Sequence, residues 1–125
     1  MNKKIFFKKK VLITGHTGFK GSWLALWLYL SGAKIIGISK NIPTSPSHYL
    51  SLGLNKKINS LNFDICNLKK LKKSFKKFKP DFVFHLAAQS IVSKSYKDPI
   101  ETWKTNLNGT LNVLESMRHL NNKCT

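Results

Sequence analysis

Three glycines, Gly15, Gly18 and Gly21, stand three residues apart in Thr14-Gly15-His16-Thr17-Gly18-Phe19-Lys20-Gly21. An apolar run, Val11-Leu12-Ile13, precedes them, and a helix-compatible stretch, Ser22 to Leu30, follows. A strand feeding a glycine-rich turn feeding a helix N-terminus is a device for binding phosphate. Glycine lets the backbone turn sharply and come close to a pyrophosphate, and the free N–H groups of the helix then receive its charge. The spacing is G-x-x-G-x-x-G rather than the commoner G-x-G-x-x-G. Three further segments carry matching chemistry: Ser39-Lys40-Asn41, Asp64-Ile65 and Leu86-Ala87-Ala88-Gln89. The Asp64 carboxylate can accept from an adenine amino group while Ile65 offers the ring an apolar wall; Asp64 could equally cap the helix that begins near Leu68. Ala87 and Ala88 are small enough for a cofactor to approach closely, a size that also suits plain packing.

For these segments to meet, each must end a strand of one parallel sheet, since ligands bind outside the carboxyl ends of such strands. The periodicity predicts that arrangement. Strands are expected at Lys10–Thr14, Lys34–Ser39, Lys57–Phe63 and Phe82–Leu86, and helices at Lys20–Ser31, Asn67–Lys79 and Asp98 to about Leu120. Gly32 stops the first helix. The second is amphipathic, with Leu68, Leu71, Phe75 and Phe78 on one face and lysines on the other. Asp98 and Pro99 suit the start of the third. Loops are expected at Asn41–Asn55, with room for a short helical turn, and at Ala87–Lys97. This alternation gives the fold class as α/β, a doubly wound parallel sheet.

The chain has 125 residues, enough for one domain, with 22 basic and 5 acidic residues and a net charge of +17. That excess would normally suggest nucleic acid. Arg118 is the only arginine, however, and lysine recognises bases and phosphates bidentately less well. A lysine-rich composition spread over solvated faces accounts for the charge, and nucleic acid is not expected as a partner. Cys66 and Cys124 are read as free thiols in a reducing cytoplasm. No metal-ligand spacing, signal segment or membrane span is evident.

The motifs resemble those of the CDP-glucose 4,6-dehydratases, within the extended short-chain dehydrogenase/reductase superfamily. Thr14 through Leu24 carries the resemblance, with Phe84-His85-Leu86-Ala87-Ala88-Gln89, Ser95-Tyr96, Pro99-Ile100-Glu101-Thr102, Thr105-Asn106-Leu107-Asn108-Gly109-Thr110 and Pro43-Thr44-Ser45-Pro46-Ser47. It implies a Rossmann-like NAD(P)-binding domain of which residues 1–125 form the N-terminal part. Gly15, Gly18, Phe19, Lys20 and Gly21 would surround the pyrophosphate. Asp64 and Ile65 would meet adenine; Leu86, Ala87, Ala88 and Gln89 would face the ribose and nicotinamide. Thr105 is implied as a further cofactor contact, Asn106 as an organiser of the proton-relay water, and Ser90 as a substrate contact. Asn106 could instead simply bond to backbone within its helix. The implied chemistry is oxidation at C4 of the sugar by bound NAD, loss of water across C5–C6 and hydride return at C6. The full-length enzyme would be a cytoplasmic homodimer acting on a sugar nucleotide, with no membrane partner.

Two departures qualify this picture. Where many members carry an aspartate for the adenosine 2′-hydroxyl, this chain has Asn41 preceded by Lys40. NAD is expected, with NADP open, because a neutral residue beside a cation no longer repels a 2′-phosphate. The superfamily's Tyr-x-x-x-Lys is also absent: Tyr29, Tyr49 and Tyr96 have no lysine four residues on. A fragment that binds cofactor without turning over substrate is therefore expected. A nucleotide-sugar epimerase and a non-catalytic nucleotide-binding module are the other readings.

Overall fold

In a computed structural model that describes residues 5–125, four strands form one parallel sheet in the order β3-β2-β1-β4. The strands are β1 (Lys10–Thr14), β2 (Lys34–Ser39), β3 (Asn59–Asn62) and β4 (Phe82–His85). Val11, Leu12 and Ile13 are fully buried because β1 lies between β2 and β4 and both its faces are covered. Val11 and Ile13 point to one side, into a core with Ala25 and Leu28 of α1 (Phe19–Leu30) and Ile35. Leu12 points to the other, with Ile36, Ile38, Leu71 and Phe75 of α3 (Leu68–Phe78), and Val113. Helices therefore cover both faces, which is the doubly wound, Rossmann-like arrangement the alternation predicts.

The differences in detail have local causes. β3 is shorter than expected because Lys57 and Ile58 close a 3₁₀ turn (Leu54–Lys56) through their N–H groups onto Leu54 O. The loop after β2 does hold a short helical turn, for which the sequence left room: α2 (His48–Ser51), capped by the Ser47 side chain. The loop after β4 is not wholly irregular: α4 (Val92–Lys97) lies within it. Its apolar residues, Ile91, Val92 and Tyr96, are exposed, so it has no core-facing stripe by which periodicity could reveal it.

The last helical stretch is interrupted as well. It runs through α5 (Pro99–Trp103), a π-helical segment (Lys104–Asn108) and α6 (Gly109–Arg118). Such widened turns inside helices shift the side-chain register and often occur at functional sites. Here the widened turn contains Thr105 and Asn106. α6 then packs closely on the sheet layer, because Gly109 has no Cβ to collide with the Ile65 side chain.

Candidate functional site

Parallel pairing brings the four strand ends to one edge of the sheet. Gly15 N–H donates to Ile38 O at 2.8 Å, Leu86 N–H to Thr14 O at 3.1 Å and Phe63 N–H to Ser39 O at 3.1 Å. The segments after β1, β2, β3 and β4 thus lie side by side. The glycine turn is held from within: Gly18 N–H donates to Gly15 O, and Ser22 N–H to Gly18 O.

Each glycine of this turn has a different reason to be glycine. Gly15 has a φ of 76°, and a Cβ there would come within 2.8 Å of Ala87 N. A Cβ on Gly21 would collide with the Gly15 carbonyl. At Gly18 the backbone is extended, and a Cβ would meet only Gly15 O, at 3.4 Å. Internal packing therefore demands glycine at Gly15 and Gly21 but not at Gly18. Gly18 is the N-cap of α1, without a side chain of its own or a side-chain cap, and its Cα faces open space beside the helix N-terminus. That is the cradle a pyrophosphate needs. Phe19 and Lys20 follow it on the first turn, both exposed.

His16 turns the other way. It is fully buried, with Nε2 2.7 Å from Ser60 Oγ and Nδ1 3.0 Å from Ser39 Oγ, and its edge meets Tyr49. Its ring occupies the space that a Cβ on Gly37 would fill. Burial pushes its pKa down to about 4, so it is a neutral strut beneath the turn.

The turn after β4 is pinned at both ends. Leu86 and Ala87 donate their N–H groups to Thr14 Oγ1, at 3.1 and 3.2 Å. The Thr14 hydroxyl then donates to His85 Nδ1 at 2.6 Å, and His85 Nε2–H donates to Thr110 Oγ1 at 2.9 Å. This tautomer is assigned because Thr110 Oγ1 spends its own proton on Asn106 O, at 2.7 Å. Burial holds the His85 pKa below the ordinary histidine value, in keeping with the neutral ring. At the far end Asn106 Oδ1 accepts from Gln89 N–H at 2.8 Å, and its Nδ2 donates to Gln89 O at 3.0 Å. The Gln89 side chain donates to Thr102 Oγ1 and Ile91 O and accepts from Ile91 N–H. Leu86 and Ala88 are left exposed between the two anchors, with Ser90 exposed just beyond.

Asp64 is not a helix cap; Asn67 fills that role for α3. One Asp64 oxygen accepts from Cys66 N–H at 2.8 Å and the other lies 3.1 Å from Lys40 Nζ. Burial alone would raise its pKa, but the Cys66 N–H and the Lys40 ammonium outweigh that and hold the carboxyl below its usual value. Lys40 Nζ also lies 3.1 Å from Glu101 Oε1 of α5, and these two carboxylates raise the lysine's pKa. Thr105 Oγ1 reaches the same Glu101 oxygen at 3.4 Å. Asn41 is exposed, and its carbonyl receives the Thr17 hydroxyl at 2.7 Å, tying the loop after β2 to the glycine turn.

One expected feature is corrected. Ile65 offers no apolar wall, because its side chain is only 4% exposed and is seated against Gly109 and Val113 in the core. Other residues were not legible as parts of the site: Glu101, Thr102 and Thr110, whose side chains return from α5 and α6 to the strand ends. Spacing could have shown that Glu101, Thr102 and Thr105 share a helix face, but not which strand end that face meets. A shallow apolar groove along α5, lined by Ile100, Trp103 and Leu107 among others, lies apart from this constellation and shares none of its polar residues. Among the described residues no cluster of His, Cys, Asp and Glu could hold a metal ion, and no helix is long and apolar enough to cross a membrane.

Residues 12–125 match the family model described as GDP-mannose 4,6 dehydratase. The chain is 45% identical over 122 residues to the CDP-glucose 4,6-dehydratase of Salmonella typhimurium, covering 98% of itself and 34% of that protein. It is 36% identical to the CDP-paratose 2-epimerase of Salmonella typhi, covering 92% and 34%. Among solved structures, the epimerase Mth375 of Methanothermobacter thermautotrophicus superposes with a TM-score of 0.82 at 32% identity, over 95% of this chain and 34% of that one. The UDP-glucose 4-epimerase of Thermus thermophilus, solved in complex with NAD, gives a TM-score of 0.79 at 29% identity, over 89% and 34%. The chain spans about a third of the length of these relatives.

Proposed function

The chain belongs to the GDP-mannose 4,6 dehydratase family of nucleotide-sugar dehydratases and epimerases, and we propose that it is the dinucleotide-binding part of a CDP-glucose 4,6-dehydratase. The observation that carries the binding reading is Gly18, a glycine that internal packing does not require at the mouth of a helix N-terminus. The choice of CDP-glucose rests on the 45% identity to the Salmonella typhimurium enzyme, and the choice of NAD on the Thermus thermophilus complex. NAD, when bound, supplies a hydride acceptor for the sugar carbon.

This chain's residues have separate tasks in that reading. Gly15, Gly18, Phe19, Lys20 and Gly21 hold the pyrophosphate, Gly18 by yielding space and the α1 N-terminus by its N–H groups. Asp64, Lys40 and Asn41 border the adenosine. Leu86, Ala87, Ala88 and Gln89 form the wall toward the nicotinamide, with Thr105 behind them and Ser90 toward the sugar. The Asn106 amide oxygen has a second lone pair beyond its bond to Gln89, with which it can orient a relay water. Residues 1–125 form the front of the cofactor domain. The proton-abstracting base and the substrate domain belong to the remainder of a longer, homodimeric, cytoplasmic enzyme making a deoxysugar precursor of surface polysaccharide.

Calorimetry of the chain with NAD, wild type against Gly18→Val, tests the binding reading. Binding by the wild type and its loss in the variant are expected; equal binding by both would remove the site from Gly18. Mixed with NAD and CDP-glucose, the chain alone should give no 4-keto product. Lack of a positioned general base costs on the order of a hundredfold or more, and lost orientation of the sugar costs more still. Turnover that survives repurification would overturn that division of labour.

A further inference from the structure

We infer that Glu101, reaching from α5 to Lys40, makes the site select a dinucleotide with a free 2′-hydroxyl over one with a 2′-phosphate. The inference rests on the dinucleotide reading above and deepens it. The position that decides this choice in doubly wound folds follows the second strand, about 20 residues past the glycine turn. An acidic side chain there accepts from the 2′-hydroxyl, and a cation beside it receives a 2′-phosphate. Here Asn41 is neutral and Lys40 is the cation, which by sequence would invite the phosphate.

The structure removes that invitation. Lys40 Nζ sits 3.1 Å from Asp64 Oδ2 and 3.1 Å from Glu101 Oε1. One ammonium between two carboxylates leaves a local charge of −1. A 2′-phosphate brings roughly −1.5 to −2 more. These ion pairs are partly exposed, and pairs of that kind hold their partners only weakly. The discrimination therefore does not depend on a rigid lock. It depends on two carboxylates standing within a few ångströms of Lys40, the cation that follows β2. Charges more than roughly 8 Å away are largely screened at physiological salt, so the charges next to the phosphate decide the choice.

Asp64 and Glu101 differ in how they can be tested. Asp64 has a second role, accepting from Cys66 N–H, so its removal disturbs the loop after β3. Glu101 meets Lys40 from a helix surface, and its other side-chain partner is Thr105 at 3.4 Å. Replacing Glu101 by glutamine keeps its size and removes its charge. Lys40 then faces one carboxylate already engaged elsewhere, and the local charge becomes zero.

Titration of NAD and NADP into wild type, Glu101→Gln and Lys40→Gln/Glu101→Gln by calorimetry tests this, with circular dichroism confirming that each is folded. The wild type should prefer NAD. Glu101→Gln should strengthen NADP binding by about tenfold at low salt while changing NAD binding much less, from Coulomb terms at these separations. The double variant should lose that gain, since the freed lysine is what the phosphate meets. An unchanged NAD-to-NADP ratio in Glu101→Gln, or an NADP preference in the wild type, would overturn the inference and leave the dinucleotide site standing. Binding of neither cofactor by the folded wild type would overturn the dinucleotide reading itself and this inference with it.

Discussion

Gly15, Gly18 and Gly21 look equivalent as letters and are physically different. A methyl group at Gly15 faces the backbone of Leu86 and Ala87 at a positive φ, and at Gly21 it strikes the Gly15 carbonyl. Backbone atoms cannot rotate away as side chains do, so both substitutions must displace the turn. Gly15→Ala and Gly21→Ala should each lower stability by about 1–3 kcal/mol or more. Gly18→Ala should cost less than about 1 kcal/mol, the effect of changing an N-cap residue. Denaturant midpoints of the three variants check the order; equal losses would mean that Gly18 too is held by packing. The distinction could not be read from the spacing, because it depends on what β4 brings beside the turn.

At the scale of elements, the π-helical turn and the Ala-Ala-Gln loop act as one unit. The widened turn places Asn106, and its amide matches both main-chain groups of Gln89. Asn106→Leu, similar in size, leaves that donor and acceptor without a protein partner. Expected results are a stability loss of about 1–2 kcal/mol and faster exchange of the Gln89 amide. Asn106→Asp keeps the acceptor and should fall between. Unchanged exchange at Gln89 in the leucine variant would show that the loop is held without the clamp.

The order of strands and helices was legible because buried parallel strands and the α3 stripe of Leu68, Leu71, Phe75 and Phe78 carry strong periodicity. The break at Lys104–Asn108 was not, since nothing in its residue types distinguishes a widened turn from an ordinary one. The same holds for α4, which has no buried face to leave a pattern. That the four segments meet at the strand ends was legible, whereas the approach of Glu101 and Thr110 depends on how α5 and α6 lie against them.

The whole molecule carries +17 with five acidic residues, and each of those five is engaged. Asp81 accepts from Lys10 N–H, Asp98 from Glu101 N–H at the start of α5, and Glu115 pairs with Arg118, His119 and Lys72. Asp64 and Glu101 hold Lys40. The acids sit where strands and helices begin or meet, and the surplus lysines lie mainly on solvated faces. Acid sensitivity should nevertheless begin with a histidine. His16 has a folded pKa of about 4 against the ordinary histidine value of about 6.5, so the unfolded chain binds the extra proton between those values. Stability is full above about pH 6.5 and falls toward pH 4, by roughly 3 kcal/mol from this residue. His85, also shifted down, acts in the same direction. Denaturation at a series of pH values should show this slope, and His16→Gln should flatten much of it. A slope unchanged in that variant would place the titration elsewhere. Glu115, held at about 2 by Arg118 first and His119 next, contributes only at lower pH.

The strand order also sets a timetable. β1 is sandwiched between β2 and β4, yet Val11 meets Ile35 on one side and Phe82 on the other. During synthesis at roughly 5–20 residues per second, the 71 positions from Val11 to Phe82 take on the order of 4 to 14 s to appear. For that interval one edge of Val11-Leu12-Ile13, the most deeply buried segment of the sheet, has no native neighbour. A short, uncharged, β-prone run in that condition invites pairing with another nascent chain. Lys8, Lys9 and Lys10 stand immediately before it. Charges flanking such a run act as gatekeepers, so these lysines, besides joining β1 to Lys34 and Asp81 in the finished sheet, should hinder that mispairing while the ribosome is still making β4.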